Sequence, residues 1–326
     1  MAQSLTYELK LFFASEHLDT WSAVKPRLMT WLMSEGVESF VEGVVDDLYV
    51  DHRYDQSEED FYDELGGNNS PLIIYDYNLE FLEELKAKAV HAFEHLTAEI
   101  SSFDTQVWKE GWKESFKPIY THKFSVFPPW ERVEEDPQKF QIIIDPGMAF
   151  GTGQHATTQL CLKMLESFEH MLSVAGSPFL WKGKSVLDVG TGSGVLSLAV
   201  SKLGASRIVA TDIDHNAVEA CKENAGVNEV NLTCEQSSVP QSFLEESGEK
   251  ADVVIANILF VVLEKIIPQL AQACANGGAV LLSGVLVEQT AEMIRLAEGE
   301  GLKLLSHQKD RGWSGLLFGK PPTSNG

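Results

Sequence analysis

The chain has 326 residues, with 25 Lys+Arg against 48 Asp+Glu and a formal net charge of −23. At roughly 100–200 residues per domain this length predicts about two domains, and a content of 44% hydrophobic and 22% charged residues excludes an intrinsically disordered chain. The acidic balance argues against a nucleic-acid binder, whose phosphates it would repel, and favours a basic partner.

In chain order, "TYELKLFFA" reads as a strand, and "DTWSAVKPRLMTWLMSEG" as a helix with Asp19 as cap, Pro26 inside and Gly36 at its end. "VESFVEGVVDDLYVDHR" reads as one or two strands. The acidic "DQSEEDFYDELGGNNSP" is a loop or short helix punctuated by Gly66, Gly67, Asn68 and Asn69. After strand "LIIYDYN", a helix over residues 79–100 is predicted from Leu79, Leu82, Leu85, Ala89, Phe93 and Leu96 at helical spacing. "DTQVWKEGW" is taken as a last strand, which makes the order βαββαβ, the ferredoxin-like pattern. Residues 113–135 carry Pro118, Pro128 and Pro129 with several aromatics and no period, and read as a bridge. The tryptophans Trp108, Trp112 and Trp130 are read as packing between domains.

From Pro137 strands alternate with helices, which means a largely parallel sheet. "FQIII" leads into the glycine-rich "DPGMAFGTGQHATT", then helix "QLCLKMLESFEHML" and strand "KSVLDVG". Helix "VLSLAVSKLG", strand "RIVATDID", helix "HNAVEACKENAGVN" and strands "LTCEQ" and "ADVVIANIL" follow. Helix "VVLEKIIPQLAQACA", strand "GGAVLLSGVL", helix "VEQTAEMIRLAEGEG" and strands "KLLSHQKD" and "WSGLLFGK" complete the pattern, with a disordered tail at 321–326. The boundaries drawn are 1–103 for an N-terminal α+β recognition domain, 104–136 for the bridge and 137–320 for the α/β domain.

Charge and cysteine usage add context. Residues 1–100 hold 6 Lys+Arg and 21 Asp+Glu, a net of −15, so most of the negative field belongs there. Cys161, Cys221, Cys234 and Cys274 form no C-x-x-C pair, which predicts free thiols in a reducing compartment. Glu8 and Lys10 interrupt the first apolar stretch, so no signal peptide is read. The most apolar stretch, 253–267, contains Asn257, Glu264 and Lys265 and falls short of the about 20 apolar residues of a membrane helix. A cytoplasmic protein without membrane association is expected.

The chemistry concentrates in "VLDVGTGSG", Val186 to Gly194. An apolar strand enters a glycine turn that opens a helix, which places main-chain N–H groups at the carboxyl edge of the sheet, where open α/β folds bind ligands. Gly190, Gly192 and Gly194 allow close approach to the main chain. The next strand ends in Asp212, which can accept hydrogen bonds from both hydroxyls of a ribose. The spacing is G-x-G-x-G, with Val195 where a dinucleotide fingerprint has its last glycine, and Asp188 before the turn would repel a pyrophosphate but suits a cationic cofactor. "GKS" at 183–185 is no phosphate loop, because Pro178 stands where its first glycine belongs. A plain tight turn and a nicotinamide site remain the alternatives at this point. The fourth strand ends at Asn257, followed by Ile258, Leu259 and Phe260 rather than by two prolines and an aromatic residue. Thr157 and Thr158 are candidate caps of the helix after the glycine-rich loop. His91 and His95, four apart, lack the Glu of H-E-x-x-H and predict no metal site.

The D-x-G-x-G-x-G turn with an acid after the next strand resembles class I S-adenosylmethionine-dependent methyltransferases. "IDPGMAFGTGQHATTQLCLKMLE", "VLDVGTGSGVLSLA", "KLGA", "ATDIDHNAVEACKENAGVN", "VVIANIL" and "GWSGLLFGK" together resemble the bacterial methyltransferases of large-subunit ribosomal protein eleven, the PrmA family, across residues 137–319. "WKEGWKESFKPIY" is similar to the family's linker, and the first hundred residues match in general shape. The resemblance implies a Rossmann-like α/β domain with a seven-stranded, mostly parallel sheet behind a small α+β ferredoxin-like domain. It implies S-adenosyl-L-methionine as cofactor, contacted at Thr158, Gly190, Asp212 and Asn257, with Gly192 in the same turn and Phe150 over the methionine end. It assigns no catalytic acid or base, and offers Asn257 for positioning the substrate amine. The implied reaction is methylation of lysine side chains and the N-terminal amine of ribosomal protein eleven, free or on the ribosome, by a monomer without direct nucleic-acid contact. A lysine methyltransferase of another protein and a noncatalytic S-adenosylmethionine-binding module are the alternatives.

Overall fold

The computed structural model describes residues 5–13, 18–37, 41–42, 71–104, 118–131, 136–145, 155–174, 179–245 and 248–322. The chain divides into two compact units, Met1–Lys117 and Pro118–Gly326.

In the first unit β1 (Leu5–Phe13), α1 (Leu18–Ser34), β2 (Val41–Glu42), β3 (Leu72–Asp76), α2 (Leu79–Ala92) and β4 (Leu96–Asp104) follow in sequence. The strands lie in the order β2-β3-β1-β4, with every pair antiparallel. Alternate residues Leu9, Leu11 and Phe13 of the central strand β1 are buried, the period of a half-buried strand. The helices contribute Leu28, Met29 and Leu32 from α1, and Leu82, Leu85 and Ala89 from α2. Asp19 does not cap α1, because the helix already includes Leu18. Of the strands expected over 37–53 only Val41–Glu42 is described, and the expected strand at 104–112 lies beyond Asp104 outside the described residues.

Helix α2 starts where Asn78 Oδ1 accepts the Phe81 N–H at 3.2 Å. It ends at Ala92 rather than at Ile100. His95 takes a φ of 65°, and residues 96–104 pair with β1 from Phe13↔Leu96 to Leu5↔Asp104. Leu96 fits either frame, as the next member of the helical stripe or as a buried strand end. Its pairing partner, more than eighty positions away in the chain, decides the matter and is invisible to local periodicity.

The second unit opens with a three-stranded sheet of β5 (Ile119–Tyr120), β6 (Phe124–Phe127) and β7 (Phe140–Ile143), in that order. Two of these strands fall in the segment read as a bridge. Phe124, Val126 and Phe127 are buried there. The turn between β5 and β6 is held by Glu166, which accepts from the Thr121 hydroxyl and from the Lys123 N–H. Strands this short, with all four residues of β6 buried, show no alternation for a sequence pattern to reveal.

The large sheet is built from β8 (Ser185–Val189), β9 (Arg207–Asp212), β10 (Thr233–Gln236), β11 (Ala251–Asn257), β12 (Cys274–Leu286), β13 (Lys303–Asp310) and β14 (Trp313–Gly319). Their order is β10-β9-β8-β11-β12-β14-β13. The first five are parallel, and β14 runs antiparallel to both neighbours. The helices are α3 (Ala156–Glu166), α4 (Phe168–Val174), α5 (Val195–Leu203), α6 (His215–Val227), α7 (Gln241–Leu244), α8 (Phe260–Ala273) and α9 (Thr290–Gly299). The single helix expected after the glycine-rich loop is thus two, parted at Ser167.

Both faces of this sheet are buried, as parallel strands require. Val186, Val253, Ile255, Ala279 and Leu281 join one apolar cluster with Leu160, Leu165 and Leu198. The alternate residues Leu187, Val254, Ala256, Val280 and Leu282 join the other with Leu263, Ile267 and Met293. Strand order reverses between β8 and β11, which opens a crevice at their carboxyl ends. Among the described residues no helix is long and apolar enough to cross a membrane.

Candidate cofactor and active site

Three strand ends meet at the crevice. β8 delivers Gly190, β9 delivers Asp212 and β11 delivers Asn257, with Val189 paired to Ala256 and to Thr211. The turn after β8 holds Gly190, Gly192 and Gly194 at φ of 72°, 53° and 85°. A Cβ on Gly190 would stand 2.2 Å from Ile258 Cγ2, so the turn packs directly on the residue after Asn257. Ile258, which sequence reasoning noted only as departing from the proline motif, is the wall of this turn.

The main-chain donors of the turn are largely used within the protein. Gly190 and Thr191 N–H both donate to Thr211 O, at 2.8 and 2.9 Å, and Gly194 N–H donates to Thr191 O at 3.0 Å. Gly192 N–H donates to Asp212 Oδ2 at 3.0 Å. The N–H groups do lie at the carboxyl edge of the sheet, as expected, but these four are engaged inside the protein, three of them by the end of β9. Such a turn is a poor cradle for pyrophosphate, which needs free donors. It offers instead close approach of its Cα atoms and one aimed carboxylate. Asp212 Oδ1 accepts Asp214 N–H at 3.1 Å, so each oxygen is oriented by one main-chain donor and keeps a lone pair for a hydroxyl.

Asp188 lies beneath the turn, 1% exposed. Its Oδ2 accepts from the Thr191 hydroxyl at 2.8 Å and the Ser197 hydroxyl at 2.7 Å. Burial pushes its pKa up to about 6, against the pull of those two hydroxyls and with help from the Asp212 charge. The two hydroxyl partners were not singled out by sequence. Their spacing from Asp188, at i+3 and i+9, becomes meaningful only once the turn is folded.

At the other side of the crevice Asn257 Nδ2 donates to Thr158 Oγ1 at 3.3 Å. Asn257 Oδ1 is buried and has no hydrogen-bond partner among the described residues. The amide is thus oriented with an unused acceptor, which a ligand donor would satisfy. Thr158 is fully buried in the first turn of α3, and neither it nor Thr157 is the cap. The cap is His155, whose Nδ1 accepts the Thr157 N–H at 3.3 Å while its ring packs edge-on against Trp313. The structure brings Gly192 to Asp212 and Thr158 to Asn257, with Gly190 beside Ile258. Phe150 lies outside the described residues, as does the rest of the loop from 146 to 154.

A central strand order with its reversal beside β8, a glycine turn after the first strand, an acid after the second and an asparagine after the fourth define a class I S-adenosylmethionine-dependent methyltransferase domain. The family model of ribosomal protein L11 methyltransferase (PrmA) matches residues 34–321. The ribosomal protein L11 methyltransferase of Dictyoglomus thermophilum is 34% identical over 239 residues, 72% of this chain and 74% of that protein. That of Geotalea uraniireducens is 34% identical over 296 residues, 79% of this chain and 92% of that protein. The crystal structure of ribosomal protein L11 methylase from Lactobacillus delbrueckii subsp. bulgaricus is similar at a TM-score of 0.54 and 30% identity, covering 63% of this chain and 100% of that one. The chain belongs to the ribosomal protein L11 methyltransferase family, and its cofactor is S-adenosyl-L-methionine. The residues of the crevice fit that group: paired hydroxyls suit the oriented Asp212 carboxylate, and the glycine turn admits the ligand close to the main chain.

Two outcomes follow for this site. Gly190→Ala meets both the left-handed backbone, at about 1–2 kcal/mol, and the Ile258 side chain. Cofactor affinity measured by calorimetry is expected to fall at least about tenfold, and wild-type affinity would contradict the packing described. For Asp188, the raised folded pKa means its contribution to stability is fully present below the unfolded value of 3.8 and is lost as pH rises through about 6. Above that the buried charge costs about 3 kcal/mol. Asp188→Asn should therefore melt at a higher temperature than wild type at pH 8, with the gap closing by pH 4. Equal melting temperatures at pH 8 would refute the cost.

Proposed function

We propose that this protein transfers methyl groups to amine nitrogens of ribosomal protein L11, on lysine side chains and at the N-terminal amine. The observation that carries the reading is the Asn257 carbonyl oxygen, buried, unpartnered and held in orientation by Thr158 at the sheet's switch point. The family's name supplies the substrate. The charge of −15 on residues 1–100 favours a basic target and assigns recognition to the first unit and methyl transfer to the second. The protein is read as a cytoplasmic monomer that meets L11 free or on the ribosome, without binding nucleic acid or membrane itself. The site residues assigned to the cofactor are Thr158, Gly190, Gly192, Asp212 and Asn257, with Phe150 carried by family resemblance alone.

When bound, S-adenosylmethionine supplies a methyl group already activated by its sulfonium. The protein's task is positioning and electrostatics. An attacking lysine, with a reference pKa of about 10.4, must be neutral, and desolvation on entering the crevice lowers its pKa. Asn257 Oδ1 accepts one N–H of that amine and so turns its lone pair toward the reacting methyl. Thr158 keeps the amide from rotating. The proton leaves to water. Asp188 places negative charge beneath the turn, which would favour a cationic cofactor over an anionic one.

The test is incubation with S-adenosylmethionine and unmethylated L11, followed by intact-mass analysis. L11 should gain mass in single-methyl steps, with no gain from Asp212→Ala. Asn257→Ala should retain the fold by circular dichroism and lose roughly tenfold to a hundredfold in kcat, the worth of one buried hydrogen bond to a polar or charged partner. Cofactor binding without any gain on L11 would discard the substrate. Binding without turnover on any protein would favour the noncatalytic module.

A further inference from the structure

Strand β7 is the edge of its three-stranded sheet. Its even-numbered groups face the neighbouring segment: Phe140 N–H donates to Lys123 O at 2.7 Å and Ile144 N–H to Phe127 O at 2.9 Å. The odd-numbered groups face the other way, where the side chains of Asn224 in α6 and of Asn228, the residue that caps its C-terminus, meet them. Asn228 Oδ1 accepts Ile143 N–H at 2.8 Å and its Nδ2 donates to Ile143 O at 2.6 Å. Asn224 Oδ1 accepts Asp145 N–H at 2.8 Å and its Nδ2 donates to Asp145 O at 3.4 Å. The match has a simple basis. Four helical residues advance about 6 Å, and two strand residues advance about 6.6 Å. Two amides one helical turn apart therefore stand in for a further strand.

Asn224 does one thing that Asn228 does not. Its Nδ2 also donates to Ser193 O at 2.9 Å, inside the cofactor turn. The second donor bond of Asn228 goes back to the helix it caps, to Asn224 O at 2.8 Å. Asn224 is 1% exposed, and its bond to Ser193 O is buried, where water does not compete for it.

We propose that Asn224 is a positioning residue for S-adenosylmethionine: it fixes the Gly190–Gly194 turn, through the Ser193 carbonyl, against the chain at Asp145. Asn228 clips the strand alone. The inference rests on the assignment of that turn to the cofactor.

The experiment compares wild type, Asn224→Ala, Asn224→Asp, Asn228→Ala and Asp212→Ala in the full chain, by calorimetric titration with S-adenosylmethionine and by thermal melting. Both alanine variants at α6 should melt lower than wild type. Only the Asn224 variants should bind the cofactor more weakly, by about tenfold for a lost buried hydrogen bond, with the cofactor KM raised and kcat little changed. Asn224→Asp keeps the acceptor for Asp145 N–H and loses the donor to Ser193, so it should bind as weakly as Asn224→Ala. Equal cofactor affinities in the Asn224 and Asn228 variants would overturn the proposal. Wild-type binding by Asp212→Ala would instead show that the turn had been assigned to the wrong ligand. Should the Asn224 variants not fold, hydrogen exchange on wild type decides: the cofactor must slow exchange of the Asp145 amide, and an unchanged rate there overturns the coupling.

Discussion

The turn after β8 passes so close to the end of β11 that a Cβ on Gly190 would lie 2.2 Å from Ile258 Cγ2. That approach sets the rest of the site. It requires a left-handed residue at the first step out of the strand, which brings Gly190 and Thr191 N–H onto the Thr211 carbonyl and Gly192 N–H onto Asp212. It also puts Asn257, the residue before Ile258, at the lip of the same crevice. One steric contact thereby joins three strand ends at a single crevice.

Electrostatics pull against stability at the same place. Asp188 sits under the turn with two hydroxyls and, among the described residues, no cation, and burial raises its pKa to about 6. A free-standing fold would do better with a neutral group there. A charge kept there at a cost to stability is the pattern expected of a site that takes a cationic ligand. The unpartnered oxygen of Asn257 follows the same logic, since a buried acceptor without a donor is a cost until a ligand arrives.

Much of this was legible in the sequence because its signals are local. A strand, a glycine turn and a helix are adjacent in "VLDVGTGSGVLSLA", and Asp212 and Asn257 each close a short apolar run. The large parallel sheet was likewise readable from alternating strands and helices. What escaped depended on partners distant in the chain. Leu96 belongs to β4 because of β1, Phe124 to β6 because of β7, and the turn's N–H groups are spent on the end of β9. His155 rather than Thr157 or Thr158 caps α3, a choice between neighbouring polar residues that spacing does not make. Nothing in the helical pattern of 215–228 marks Asn224 and Asn228, whose partners Ile143 and Asp145 lie about eighty positions away in the chain.

The proposed S-adenosylmethionine site is the crevice at the ends of β8, β9 and β11. A crystal structure of the protein with S-adenosylhomocysteine tests this most directly. The ribose hydroxyls should lie within hydrogen-bond distance of the Asp212 carboxylate, over Gly190 and Gly192, with the amino-acid end toward Thr158 and Asn257. A ligand bound elsewhere, with Asp212 still engaged only by Gly192 and Asp214, would contradict it.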